Sequence, residues 1–430
     1  MRDILLTAIV FGSIPFILKR PYVGVLMWSW LGYMNPQRMV YGFAYDFPFS
    51  MIIALATVIA IIISKEDKRI PWSVLVTVWI LFLLWMNITT IFSIDINLAI
   101  PEWQRTMKIQ FMVLITMLIM NEEKKINALI WVIVISLGYY GIKGGIFAVL
   151  TGGEYRVWGP EGTFIEDNNT LALALIMVLP LMRYIQLISD IRYIKWGMGI
   201  SMLITSLSVL ASQSRGALIA LVMMAIFMMI KSQKRKILII AMVITVPIIL
   251  AFMPQSWFDR MSTLKTYDQD PSAVGRLIAW EFATDMASQR FTGGGFGSFT
   301  QQNYLVFSPE LIDDVLRADG RYQGAHSIYF EVLGHHGFPG LLLFITIGLL
   351  AYRAGSRIIR YSKNDNGQLA WEGNLAAMLQ VSLVGYLTGG AFLSLSYYDL
   401  YYQMIAILAL LKMRIKHVEN DASNNQTISP

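Results

Sequence analysis

The chain has 430 residues, 56% of them hydrophobic and only 14% charged, with a formal net charge of +6 and a mean hydropathy of +0.55. Soluble domains carry about a quarter charged residues, so too few charges remain here to cover soluble domains. The basic residues stand in short runs between apolar blocks, which marks them as topology signals and points away from nucleic acid. Cysteine is absent, which excludes disulfides, thiolate catalysis and zinc–thiolate sites.

Blocks of about 17–25 apolar residues are bilayer-spanning helices, and they recur along the whole chain. The predicted spans are 4–18, 22–34, 50–64, 73–93, 108–120, 127–150, 168–186, 196–212, 216–231, 237–253, 328–352, 373–393 and 396–412. The fold class is therefore an all-α polytopic membrane protein with about 12 transmembrane helices. The opening "MRDILLTAIVFGSIPFILKR" reads as a retained first span, because no small-residue cleavage site follows it. Basic runs follow alternate spans: "KEDKR", "NEEKK", "RYIQLISDIRYIK", "KSQKRK", "RAGSRIIRYSK" and "KMRIKH". The positive-inside rule assigns these to the cytoplasm and the other connections to the outside. The organisation that follows is one membrane domain over 1–415, holding a large periplasmic loop with short helices at 254–325, and a polar cytoplasmic tail over 416–430.

Within the outer loop, "SAVGRLIAWEFATDMASQRF" predicts a short amphipathic helix lying near the membrane surface. The glycines of "TGGGFGSF" end it. No internal repeat is evident, which counts against repeat-built transporter folds.

Ionisable groups near the outer boundary are costly and point to function. Arg215 opens a span in "ASQSRGALIAL". On the outside it opposes the positive-inside bias, and it is either a snorkelling side chain or an anion site gripping phosphate oxygens. Arg276 stands in the first turn of the surface helix, where backbone N–H groups also favour an anion; the plainer reading pairs it with Glu281 or Asp285. The loop "YRVWGPEGTFIEDNN" offers Arg156 and Asn168 as substrate contacts, and Asn168 or Asn169 as the cap of the following span. Three of the four histidines lie in "GAHSIYFEVLGHHGFPG". His326 precedes the helix and shares a quadrant with Tyr329, a further candidate substrate contact. Glu331 and His335 are four apart on one face, as metal ligands often are, but no second ligand-rich helix accompanies them. His335 and His336 read as packing residues before the break at Gly337-Phe338-Pro339-Gly340.

Taken in order, "SQSRGALIAL", "GRLIAWEFA" with "GGGFGSF", and "HSIYFEVLGHHGFPG" resemble the O-antigen ligase and polymerase superfamily, whose signature is similar to His326, Ser327, Gly337 and Gly340 here. The N-terminal stretches "GYMNPQRMVYGFAYDFPF" and "VWGPEGTFIEDNN" look closer to its exosortase-associated O-glycosylation ligase branch. The resemblance implies a bacterial inner-membrane, multi-pass glycosyltransferase with its active site facing the periplasm. Its donor is an undecaprenyl-diphosphate-linked glycan, and its acceptor is a hydroxyl of lipid A-core, another glycan or a protein. It implies no cofactor and no metal. By motif, His326 corresponds to the essential histidine, and Arg215 and Arg276 to the essential arginines. A polysaccharide polymerase shares these motifs. A lipid-linked glycan transporter is a reading of another class, which would gather its charges near the midplane.

Overall fold

The computed structural model describes the chain apart from residues 233–234, 237–238, 241–242, 244–246, 248–250, 252, 263–270, 319, 365–366, 368 and 428–430. The predicted span 237–253 therefore falls largely outside the described residues. Every regular element among those described is a helix. Six of the described helices are long and apolar enough to cross a membrane.

The first nine helices are α1 (Arg2–Lys19), α2 (Tyr22–Met34), α3 (Phe49–Ile63), α4 (Val74–Ile91), α5 (Ile96–Ile119), α6 (Glu123–Leu150), α7 (Asn168–Ile188), α8 (Arg192–Ala211) and α9 (Arg215–Lys231). Among the described residues four helices follow: α10 (Gln255–Ser262), α11 (Pro271–Gln289), α12 (Gln301–Phe307) and α13 (Ile312–Ala318). The chain then closes with α14 (Ile328–Asn364), α15 (Ala370–Gly389) and α16 (Asp399–Thr427). Hydropathy located most of these bounds. It placed α5 too late, because Glu102, Gln104, Arg105 and Lys108 break the apolar pattern; the helix starts earlier because Asp95 accepts from the Asn97 and Leu98 amides. The polar tail predicted from 416 continues α16 to Thr427.

The core forms around α7 and α16. On α7 every residue from Leu171 to Met182 is buried, and on α16 so is every residue from Leu400 to Leu411. A helix that is apolar on all sides belongs inside a bundle. α7 packs against α6, α8 and α15, and α16 packs against α5, α14 and α15. α6 meets α8 through small residues. A Cβ on Gly145 would stand 2.2 Å from the Ile204 carbonyl oxygen, so the backbones touch there as small-residue interfaces in membranes allow.

The segment 254–325 is not a free surface loop. α11 packs on α14 and buries Ile278, Phe282 and Met286 against Tyr304, Leu311 and Val315. The Phe282 and Tyr304 rings stack with centroids 3.8 Å apart. On the neighbouring face Ala283 and Ala287 pack with Leu333 of α14. Protein thus covers two faces of the helix expected to lie near the membrane surface.

α14 is broken at Gly337, whose φ of 64° and ψ of −174° are not helical. Pro339 has no N–H to offer to the preceding turn, so the break frees the carbonyls of Gly334, His335 and His336. Each finds another donor. Gly294 N–H donates to Gly334 O at 2.8 Å and Gly295 N–H to His335 O at 2.9 Å; Trp85 Nε1 donates to His336 O at 2.8 Å. The glycine run 293–297 is there to make this approach. A Cβ on Gly293 would lie 2.6 Å from the Gly337 nitrogen, and one on Gly337 would lie 2.2 Å from the Phe291 oxygen. The three glycines, 293, 295 and 337, also all have positive φ. The run predicted as a helix stop is therefore also the clamp that holds a kinked helix.

Candidate functional site

The site forms at the end of the bundle where α14 begins. His326 precedes that helix with φ of 43°, one of three described non-glycine residues with positive φ. Such backbone costs about 1–3 kcal/mol and gathers at functional sites. A second of the three is Gln213, at φ 56°, in the turn that delivers Arg215. His326 is an exposed residue, while its backbone is fixed from both sides. Trp280 Nε1 of α11 donates to the Ala325 carbonyl at 2.7 Å, and Ser327 beside it is buried, its hydroxyl without a hydrogen-bond partner.

Arg276 lies one turn before Trp280 on α11, and residues four apart share a helical face. Gly275 next to it faces the Gln323 side chain, 2.7 Å from where a Cβ would be. The second turn of α11 is thus laid along the strap 323–326, and Arg276, the sixth residue of the helix, stands past the first turn expected for it, beyond the free N–H groups. The electrostatics agree. Partial desolvation and then the Arg276 charge lower the His326 pKa from its usual value, opposed by the Asp167 carboxylate, which raises it. Arg276 and Asp167 both act on His326 from other helices.

Asp167 belongs to the mouth of α7, where it accepts from the Asn169 N–H at 2.8 Å and caps the helix. The expected cap residues are thus displaced by one. Asn168 instead is buried and donates through Nδ2 to the Ser212 carbonyl at 2.7 Å. That bond ties α7 to the turn Ser212–Ser214, which Arg156 also meets: its Nε donates to Gln213 Oε1 at 3.5 Å. Ser214 caps α9 by accepting from the Ala217 N–H at 3.2 Å, so Arg215 is the first residue of that helix. Its neighbour Gly216 faces the Phe392 side chain, with a Cβ position 3.0 Å from Phe392 Cβ. Phe392 in turn lies beside Trp280, with ring centroids 6.5 Å apart. A continuous set of contacts runs from Gly216, beside Arg215, through Phe392 and Trp280 to the Ala325 carbonyl, beside His326.

The other residues of the histidine stretch lie elsewhere. Tyr329 donates its hydroxyl to the Leu387 carbonyl at 2.8 Å and turns its ring to Phe344, so it faces α15. Glu331 accepts from the Ser396 hydroxyl and, at 3.3 Å, from the Ser396 N–H. His335 Nδ1 is 3.1 Å from the Tyr397 hydroxyl, and His336 Nδ1 is 2.6 Å from Thr89 Oγ1. Both imidazoles are buried in an aromatic cage with Phe296 and Tyr397. They pack the break in α14. Glu331 and His335, which sit at a spacing suited to metal, spend their side chains on the adjacent residues Ser396 and Tyr397. Among the described residues no group of three His, Asp or Glu side chains gathers in a metal-ligating arrangement. Sequence reasoning gave the cap to Asn168 or Asn169 and not to Asp167; the signal for Asp167 was the step from "IED" to the apolar run of α7, which marks a helix mouth.

Arginines and a histidine from separate helices, gathered at one end of an apolar bundle, suit an anionic leaving group and a proton acceptor. The comparison with known families narrows the class of chemistry. Residues 200–345 match the O-antigen ligase family. The matched region holds Arg215, Arg276 and His326, and the match supports a ligase- or polymerase-type glycan-processing function in a multi-pass bacterial membrane protein. Residues 1–189 match a family of unknown function, DUF5935, and that part supplies Arg156, Asp167 and Asn168. The site is thus built across both matched regions, with the α7 mouth placed against the ligase domain. No curated protein matches the chain.

Proposed function

We propose that the protein transfers a glycan from an undecaprenyl-diphosphate donor to an acceptor hydroxyl, on lipid A-core or on a protein, at the periplasmic face of the bacterial inner membrane. The observation that carries this reading is the convergence of Arg276 and Asp167 on His326, linked by contact to the turn that bears Arg215. The acceptor oxygen attacks the anomeric carbon as the carbon–oxygen bond to phosphate breaks, and the lipid diphosphate leaves with the electron pair. Arg215 and Arg276 offset the charge that develops on it; guanidinium groups suit phosphate oxygens and lose no proton. His326 takes the hydroxyl proton. Its lowered pKa keeps the imidazole neutral near pH 7, the form able to accept one. A single displacement of this kind inverts the anomeric centre, and it asks for no metal. Arg156 and Asn168 act here by holding the Ser212–Ser214 turn, and Tyr329 by seating α14 against α15.

Charges gathered at one end of the bundle favour a transferase over a transporter, which would bind near the midplane. The test is transfer from purified undecaprenyl-diphosphate glycan by the purified protein, with and without a chelator. Glycan appearing on lipid A-core or protein supports ligation, whereas a longer lipid-linked glycan means polymerisation. Full activity of His326→Ala would remove the base and with it this mechanism.

A further inference from the structure

At the end of the bundle remote from His326, three segments far apart in sequence, with Leu118 of α5, line an open cavity of about 840 Å³. They are the connection Lys68–Ser73 before α4, the stretch Arg357–Tyr361 of α14, and Ala409–Lys416 of α16. His326 and Arg357 are separated by most of α14, roughly 45 Å at 1.5 Å per residue, so this cavity is not part of the candidate site. Lys68, Arg69, Arg357, Lys412 and Lys416 line it, and no acidic residue does among those described. Arg69 is paired with Asp67 at 2.9 Å, but no described carboxylate pairs with the other four. Lys412 lies close enough to Arg357 and Lys416 for their like charges to act on it.

Basic runs at this end are expected as topology signals. That role requires only that they stay on one side; it does not require them to converge. Here they converge on walls that are apolar, formed by residues such as Leu118, Ile358 and Met413. Trp72 and Tyr361 stand exposed at the cavity, where interfacial aromatics meet headgroups. An apolar wall beside five cations, four of them without a described carboxylate partner, fits a molecule with acyl chains and a phosphate head. Clusters of Lys and Arg at a membrane surface attract anionic lipid, roughly fivefold for each residue.

We propose that this cavity is a binding site for the phosphate-bearing headgroup of an anionic membrane phospholipid, in the leaflet opposite the candidate site. The test is native mass spectrometry of the delipidated full-length protein with phosphatidylglycerol or phosphatidylcholine added. Phosphatidylglycerol should be retained about tenfold more strongly, and Arg357→Gln with Lys412→Gln should remove about tenfold of that affinity. A charge-matched control, Lys65→Gln with Lys363→Gln, alters the same basic runs outside the cavity and should keep the preference. Equal retention of the two lipids, or an equal loss in the control, overturns the site. So does displacement of the lipid by an equal concentration of inorganic phosphate, which would make it a site for free anions.

Discussion

His326 and the pair His335–His336 are nine and ten residues apart, yet their surroundings are opposite. His326 is exposed on a strained backbone, with charges from α7 and α11 acting on it. The other two are buried, hydrogen-bonded to Tyr397 and Thr89, and free of contact with any arginine named here. The difference comes from the backbone. α14 starts between the two regions and breaks just after the second, so one histidine stands at its mouth and the others fill its kink. A histidine-rich motif can thus combine a reactive group with two packing groups that share nothing with it but sequence.

Substitutions can break this contrast, and the largest effect is expected at the mouth. His326→Ala should lower transfer by about 10²–10⁴-fold, the usual contribution of a positioned base, with helix content by circular dichroism unchanged. Arg276→Ala and Arg215→Ala should each cost about 10²–10³-fold. Lysine should restore only part of that, because an ammonium is a point charge and not a planar fork. If lysine restored full transfer at both positions, bidentate grip on the diphosphate would be the wrong picture. At the kink the readout changes from rate to folding. Gly337→Ala forces a Cβ into the Phe291 carbonyl at a positive φ and should destabilise the protein by roughly 2–4 kcal/mol, visible as a lower unfolding temperature in detergent.

The pH profile sharpens the same comparison. His326 has a lowered pKa, so activity should stay full as pH falls to its ordinary value and decline only below it, as the imidazole gains its proton. Asp167 raises that pKa, so Asp167→Asn should move the acid limb to still lower pH. Asparagine can still cap α7, which separates the electrostatic effect from loss of the helix mouth. A limb that does not move would mean that Asp167 does not act on the titrating group.

Much of the bundle was legible because membrane helices announce themselves by length and hydropathy. α2 and the start of α7 were placed to the residue. α5 was not, because a polar face with Glu102, Arg105 and Lys108 hides a helix that Asp95 starts. The arginines and His326 were legible as groups that need a reason to be where they are. Their assembly was not, since it depends on contacts between distant segments: Gly216 on Phe392, Trp280 on the Ala325 carbonyl, Asn168 on the Ser212 carbonyl. Nor could periodicity reveal that the glycine run 293–297 would supply donors to the carbonyls freed at Gly337.

The smallest effect tests that last arrangement. Trp85 reaches the His336 carbonyl from α4 and also lies edge-on to Phe291, with centroids 5.6 Å apart. Trp85→Phe keeps an aromatic ring there but removes the donor, leaving one of the three freed carbonyls unmatched. A lost hydrogen bond of this kind costs about 1 kcal/mol. The unfolding temperature should therefore fall slightly, while the transfer rate at the mouth, more than a turn of α14 away, should hold. A rate loss as large as that of His326→Ala would show that kink and mouth work as one unit, and the separation drawn between the histidines would fail.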